Sequence, residues 1–352
     1  MSQSLTHGGD WAGFQAERGA LPLDFSSNVS PLGVPEGVQA AVARAAAELD
    51  RYPDPLCRAL RGAISRWEQV PPEQILCGNG AAELIFRAVW ALRPRRALVT
   101  SPAFAEYRAA LDAAGCRVDT WALPPERDFR VEEGILEAIV PGVELLFLCE
   151  PNNPTGVTTD RSLLLRILER CRENGTRLIL DECFGDLLED PVAHSLKDQM
   201  ESHPNLLILK AFTKLYALAG VRLGYALCAD EALLEEMYRM GQPWGVSHTA
   251  QVAGLAALEE TDYRRRVREL VNRERPWLTE QLMALGLRVV PGEANYLLFQ
   301  SPRPLLEPLA ERGILLRSCG NYPGLDESWY RTAVRTHREN QRLLEALEEV
   351  LK

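Results

Sequence analysis

The sequence predicts an α/β protein, a large domain on a mostly parallel, seven-stranded sheet with a smaller C-terminal α+β domain. Three observations carry this expectation. Short, continuous apolar runs alternate with helix-like stretches from about residue 75 to residue 240, the mark of strands covered by helices on both faces. Beyond residue 286 the order changes to a few strand-like runs followed by one closing helix. The length, 352 residues, exceeds the size at which a single core stops growing, so a second domain is expected.

The elements follow in order. Strands are predicted at Ile75 to Cys77, Arg96 to Thr100, Arg117 to Trp121, Leu145 to Cys149, Arg177 to Leu180, Leu206 to Leu209 and Gly224 to Cys228. Most are apolar runs too short for a buried helix. Between them Ala81 to Ala91, Ala105 to Ala114, Arg161 to Glu173 and Glu231 to Met240 show helical periodicity. A long helical stretch runs from His248 to Gly286. Strand-like runs at Leu287 to Val290, Tyr296 to Phe299 and Arg331 to Val334 and a helix from Arg338 to Leu351 complete the chain. The expected division is an N-terminal segment, 1–45, that reaches the active site and the small domain, a large domain, 46–250, and an interdomain helix with the small domain, 251–352.

Composition narrows the function classes. A net charge of −10 argues against nucleic acid or an anionic membrane as partner, because both require a basic surface. The eight cysteines are scattered without a Cys-x-x-Cys pair, which excludes a structural zinc pattern and a disulfide framework. They read as small buried hydrophobes in a reducing cytoplasm. No apolar run reaches membrane-spanning length, and the N-terminus carries no apolar signal region.

The chemistry lies in four motifs that follow one another along the chain. Gly78-Asn79-Gly80-Ala81-Ala82-Glu83 joins a strand to a helix; free backbone N–H groups and the helix dipole make such a turn an anion site, although it also serves as a plain connector. Glu150-Pro151-Asn152-Asn153-Pro154-Thr155-Gly156 lies at the C-terminal end of a strand, where ligands of open α/β sheets bind, although Asn, Pro and Gly are also ordinary turn residues. Asp181 follows the run Arg177 to Leu180; it caps a helix or, beside a nitrogen heterocycle, keeps the ring nitrogen protonated. Last comes Phe212-Thr213-Lys214-Leu215-Tyr216-Ala217-Leu218-Ala219-Gly220-Val221-Arg222. A lysine set among apolar residues with an arginine near it is poorly explained as a solvated charge. It is well explained as a desolvated amine with a depressed pKa, nucleophilic toward aldehydes.

Taken together the four motifs resemble those of the fold-type I pyridoxal-phosphate-dependent aminotransferase superfamily (class I/II), along essentially the whole chain. The resemblance implies pyridoxal 5′-phosphate as cofactor, bound covalently by Lys214, with Asp181 on the ring nitrogen and Asn153 on the phenolic oxygen. It implies a phosphate site made of Gly80, the backbone of Ala81 and Ala82, Thr213 and Arg222, and Phe104 stacked on the ring. Tyr52, in Arg51-Tyr52-Pro53-Asp54-Pro55, matches the tyrosine that reaches the phosphate of the neighbouring subunit, so a homodimer with shared active sites is implied. Two positions depart from the pattern. Phe184 stands where a tyrosine often donates to the phenolic oxygen, and Ala211 where a serine or threonine often helps hold phosphate.

Which bond the enzyme breaks depends on the substrate's anchors. Arg317 ends the apolar run Ile314-Leu315-Leu316, and period-2 spacing sets Arg331, Ala333 and Arg335 on one strand face. Arg335 and Arg338 also read as surface charges. Arginines converging on one pocket suit a substrate with both a carboxylate and a phosphate. His7-Gly8-Gly9, Asp24 to Gly33, Phe184, Cys319 to Leu325 and Ala333 to Thr336 most resemble the L-threonine-O-3-phosphate decarboxylases of cobalamin synthesis, with histidinol-phosphate aminotransferases next. The resemblance implies that His7 folds over the site, that Asn28 borders the substrate, and that Arg317 and Arg331 share its phosphate and carboxylate. Phosphothreonine decarboxylation is the leading expectation, with phosphoserine a close variant, since a methyl group discriminates by only about 1–3 kcal/mol. Transamination is the alternative.

Overall fold

The computed structural model describes residues 7–352. Strands are numbered in chain order: β1 Leu23–Asp24, β2 Ile75–Gly78, β3 Arg96–Ser101, β4 Arg117–Ala122, β5 Leu145–Cys149, β6 Arg177–Asp181, β7 Leu206–Ala211, β8 Gly224–Leu227, β9 Arg288–Val289, β10 Tyr296–Gln300, β11 Ile314–Leu315, β12 Arg317–Ser318 and β13 Trp329–Ala333. Seven of them form the large sheet, in the order β2-β8-β7-β6-β5-β3-β4. β7, β6, β5, β3 and β4 run parallel; β8 is antiparallel to both β7 and β2. The seven predicted strands are all in this sheet.

The central strands are aliphatic because helices cover both faces. Leu145, Leu146, Phe147, Leu178, Ile179, Leu180, Leu206, Leu207, Ile208 and Leu209 are all buried, each contributing about 1.5–3 kcal/mol of transfer free energy. Alternate residues enter opposite cores. Leu146, Leu148, Leu178 and Leu180 join one cluster, and Leu145, Phe147 and Ile179 join the other. The helix Arg161–Glu173 starts where Asp160 accepts from the backbone N–H of Ser162 and Leu163, an N-cap of the usual kind.

The C-terminal region holds an antiparallel four-stranded sheet, β12-β13-β10-β9. The N-terminal segment joins it: β1 pairs in parallel with β11, and Ala333 N donates to Phe25 O. The closing helix His337–Leu351 opens with a capping box between Thr336 and Glu339.

Three readings of the sequence need correction. The helical stretch from His248 to Gly286 is two helices, His248–Glu259 and Thr261–Ala284, which part at Glu260. The first packs on the helix Glu36–Ala45, while the second begins in the same core with Tyr263, Val267 and Val271 and carries Leu278 and Leu282 into the C-terminal core. The run ending at Arg317 serves two sheets, with β11 on β1 and β12 on β13. Finally, Arg335 lies beyond the end of β13, so no strand face aligns it with Arg331 and Ala333.

Candidate active site

At the C-terminal ends of the parallel strands a cavity of about 870 Å³ opens between the large sheet, the C-terminal sheet and the N-terminal segment. Its walls include His7, Asn28, Phe104, Asn153, Thr213, Lys214, Arg222, Arg317 and Arg331. A recess sharing the Lys214 wall adds Ala81, Cys149, Asp181, Cys183 and Ala211. Every predicted pocket residue except Gly80 and Tyr52 lines one of the two. Gly80 sits directly behind, against Arg222. Tyr52 lies elsewhere, 80% exposed and stacked on Trp244 at 4.7 Å between ring centroids.

Lys214 sits in the short helix Phe212–Leu215, directly after β7. Its amine is held down to about 8 from the ordinary 10.5, chiefly by burial and next by the Arg331 cation; Arg222 adds to this, while Cys183 and Asp181 oppose it. The amine lies 4.9 Å from the centre of the Phe184 ring. Its backbone carbonyl accepts from Ser30 N at 2.8 Å, which ties the N-terminal segment to the lysine.

The anion end is shaped by glycine. Gly80 has φ +82°, and a Cβ there would stand 2.8 Å from Arg222 Nη2. A Cβ on Gly224 would meet Ala81 N at 2.6 Å. Only bare backbone fits at both positions. The helix Ala81–Leu92 starts here with Gly80 as its N-cap, so its first N–H groups and the Arg222 guanidinium converge on one point. Glu83 closes the turn from behind, accepting from Asn79 N at 2.7 Å and from Arg87 Nη2 at 2.7 Å.

Asp181 is the last residue of β6, one position earlier than the sequence suggested. Its carboxylate accepts from Tyr107 Oη at 2.6 Å and from Cys183 N at 3.0 Å. Burial first, then the Asp181 charge, pushes the Tyr107 phenol well above its usual range, so it remains a donor. Tyr107 was not anticipated, yet its signal was present: three residues after Phe104, it shares a helix face with that ring.

The doubled asparagine divides its work. Asn152 is structural: its Nδ2 donates to Pro102 O and Thr155 Oγ1, both at 3.0 Å, and its carbonyl accepts from Tyr296 Oη at 2.8 Å. Asn153 Oδ1 accepts from Arg331 Nη1, which leaves the amide's two N–H donors for an acceptor in the cavity. Arg331 also donates to Ser26 O at 3.1 Å. Arg317 Nη2 donates to Asn321 Oδ1 at 2.7 Å, and both arginines are buried. Asn28 is buried as well, and neither side-chain atom has a hydrogen-bond partner among the described residues. A buried amide left open in this way marks a place for a polar ligand. Arg335 also lines the cavity, with its guanidinium donating to Asp24 O and Glu339 Oε1.

These residues fit a phosphorylated pyridine aldehyde. The glycine cradle with Arg222 matches the phosphate, the Asp181 carboxylate a ring nitrogen, the Phe104 ring a flat face, and the Lys214 amine an aldehyde carbon. Among the described residues no helix is long and apolar enough to cross a membrane, and no cluster of side chains could hold a metal ion.

Comparison with known proteins agrees with this geometry. The family model for aminotransferase class I and II matches residues 22–347. A threonine-phosphate decarboxylase from Salmonella typhimurium is 40% identical, over 98% of this chain and 96% of that protein. A histidinol-phosphate aminotransferase from Symbiobacterium thermophilum is 34% identical, over 94% and 90%. Among solved structures, histidinol-phosphate aminotransferase from Sinorhizobium meliloti in complex with pyridoxal-5′-phosphate superposes with a TM-score of 0.87 at 24% identity, covering 99% of this chain and 96% of that one. That last likeness speaks for the fold alone. With the family model spanning nearly its whole length, this chain belongs to the aminotransferase class I and II family.

Proposed function

We propose that this protein is a pyridoxal-phosphate-dependent decarboxylase acting on L-threonine O-3-phosphate, or on a close phosphoamino acid, in the cytoplasm, as a step of cobalamin biosynthesis. The observation that carries the reading is the pairing of two buried guanidiniums, Arg317 and Arg331, with the open amide of Asn28 in the cavity that contains Lys214. Two buried cations call for a substrate with two anionic groups. The 40% identity to a threonine-phosphate decarboxylase supports the same reading.

Bound at this site, pyridoxal phosphate supplies the electron sink for the bonding pair released at the substrate's Cα. The chain's own residues do the rest. Lys214, with its amine near 8, offers a sizeable neutral fraction at neutral pH, first as the covalent anchor and then as the group that carries a proton to Cα. Asp181, held by Tyr107 and Cys183 N, keeps a proton on the ring nitrogen. Arg331 stands near enough to depress Lys214, so it takes the substrate carboxylate beside Cα, and Arg317 with His7 takes the phosphate. The carboxylate leaves as CO₂ and Cα gains one proton, giving (R)-1-amino-2-propanol O-2-phosphate.

The protein would act as a homodimer. Tyr52, exposed beside Trp244 and away from its own cavity, is available to the phosphate site of a partner. A transaminase of histidinol-phosphate type is the second reading, favoured by the 34% identity to such an enzyme. The deciding assay incubates holoenzyme with L-threonine phosphate and measures CO₂, with 2-oxoglutarate in a parallel tube. CO₂ release without the keto acid is expected. Turnover that requires the keto acid and yields no CO₂ refutes the decarboxylase.

A further inference from the structure

Glu106, at the mouth of the cavity, has no part in the chemistry above. Glu106 is the second residue of the helix Ala105–Ala113, whose N-cap is Phe104. Its Oε1 lies 2.5 Å from His7 Nε2, and the His7 ring stands 5.7 Å from the Phe104 ring at a 45° tilt. The second oxygen, Oε2, is buried without a hydrogen-bond partner among the described residues.

Two carboxylates line this cavity, Asp24 and Glu106. Asp24 is saturated: it accepts from Ser26 N, Ser26 Oγ, Ser27 N and the Trp11 indole. Those bonds fix the segment behind His7. The strap itself has no slack, since a Cβ on Gly8 would meet Ser26 O at 2.5 Å, and Gly9, at φ +88°, would meet Ser27 Oγ at 2.8 Å. Gly9 N is also tied to Ser26 Oγ at 2.8 Å. The path is therefore set up to Gly8, and the His7 side chain is aimed by Glu106. A carboxylate with a buried open oxygen works against a phosphate dianion in the same cavity. Tied to an imidazole that also faces the substrate, it acts through that imidazole instead.

We infer that Glu106 is a positioning residue: it holds His7 by Nε2 and so closes the N-terminal strap over the substrate's phosphate, leaving Nδ1 as the ring's remaining polar atom for that group. With both nitrogens protonated the ring bridges carboxylate and phosphate, donating to each. The inference rests on the phosphoamino-acid reading and adds to it the residue that makes recognition selective for phosphate.

The test uses holoenzyme with Glu106→Gln, Glu106→Ala, His7→Ala and the Glu106→Ala/His7→Ala double variant. KM and kcat for CO₂ release are measured with O-phospho-L-threonine, and binding of that compound and of L-threonine is followed by the visible absorbance of the bound cofactor. Glu106→Ala and His7→Ala should each raise KM for O-phospho-L-threonine about tenfold with a smaller change in kcat. The double variant should be no worse than either single. Glu106→Gln, whose amide oxygen still accepts from Nε2–H, should recover part of the loss, and L-threonine binding should not change. Additive single effects, an unchanged KM, or equal losses for the two ligands overturn the inference. Wild-type enzyme that binds O-phospho-L-threonine without releasing CO₂ refutes the decarboxylase alone, and the binding arm still decides Glu106. If O-phospho-L-threonine does not bind, the same comparison is run with histidinol phosphate.

Discussion

At neutral pH Lys214, the proposed cofactor anchor, weakens the cofactor-free protein. Burial, and then the Arg331 cation, lower Lys214 from 10.5 to about 8. A lysine whose folded pKa lies below its unfolded value binds its proton more tightly in the unfolded chain. Stability therefore rises with pH between about 8 and 10.5, and the penalty is fully present below 8. The drop corresponds to about 3.4 kcal/mol; Lys214 retains some access to water through the cavity, which brings the expected figure to about 2–3 kcal/mol. Lys214→Met keeps the length and removes the charge. Stripped of cofactor, the variant should be about 2–3 kcal/mol more stable than the stripped wild type at pH 7. By pH 9.5 the gap should fall to roughly half, because most of the folded-state lysine is already neutral there while the unfolded one is still charged. Urea unfolding followed by circular dichroism at the two pH values measures both gaps. A variant no more stable than wild type at pH 7, or a gap of the same size at both pH values, refutes the placement of the amine in a desolvated, cationic site. The trade is a familiar one, stability given up for a reactive amine.

Gly224→Ala drives a Cβ to 2.6 Å from Ala81 N and 2.9 Å from Lys210 O, so the phosphate cradle must open; cofactor retention on dialysis should weaken by about tenfold or more. Tyr107→Phe removes the 2.6 Å donor to Asp181, a bond to a charged group worth about 1.5–3 kcal/mol, and should show as lowered stability with a changed visible spectrum of the bound cofactor. Lys210 is buried with Asp186 at 3.1 Å, Glu182 at 3.7 Å and Glu68 at 3.8 Å, and these carboxylates raise it above its usual range against the effect of burial. Lys210→Met should cost about 3–5 kcal/mol by leaving buried charge unpaired, and a second change, Glu182→Gln, should return part of it in thermal melts.

Much of the fold was legible in the residues. The central strands of the large sheet could be read because parallel strands buried on both faces are near-continuous apolar runs, and Leu145 to Cys149 is such a run from end to end. The order of the motifs could be read because a strand end, a turn and a helix start are local events. The break at Glu260 was not legible: it contains no proline or glycine, and buried residues at helical spacing continue through it, from Ala250, Ala253 and Ala257 to Tyr263, Val267 and Val271 in the same core. Arg335 was misplaced for a similar reason. Periodicity carries the strand past Ala333, whereas Asn340 Oδ1 accepts from Arg335 N and turns the chain toward the last helix.

The sequence by itself determined the kind of site: a lysine after a strand, a glycine turn before a helix, and an aspartate and an asparagine at strand ends, each positioned by its own few neighbours. Only the tertiary structure decided which groups act together. That Arg331 touches Asn153 across 178 positions, that Tyr107 holds Asp181 across 74, and that Glu106 holds His7 across 99 follows from packing between sheets and segments distant in the chain. Local propensity is written residue by residue, whereas a pKa, a hydrogen-bond partner or the closure of a pocket depends on what burial brings together.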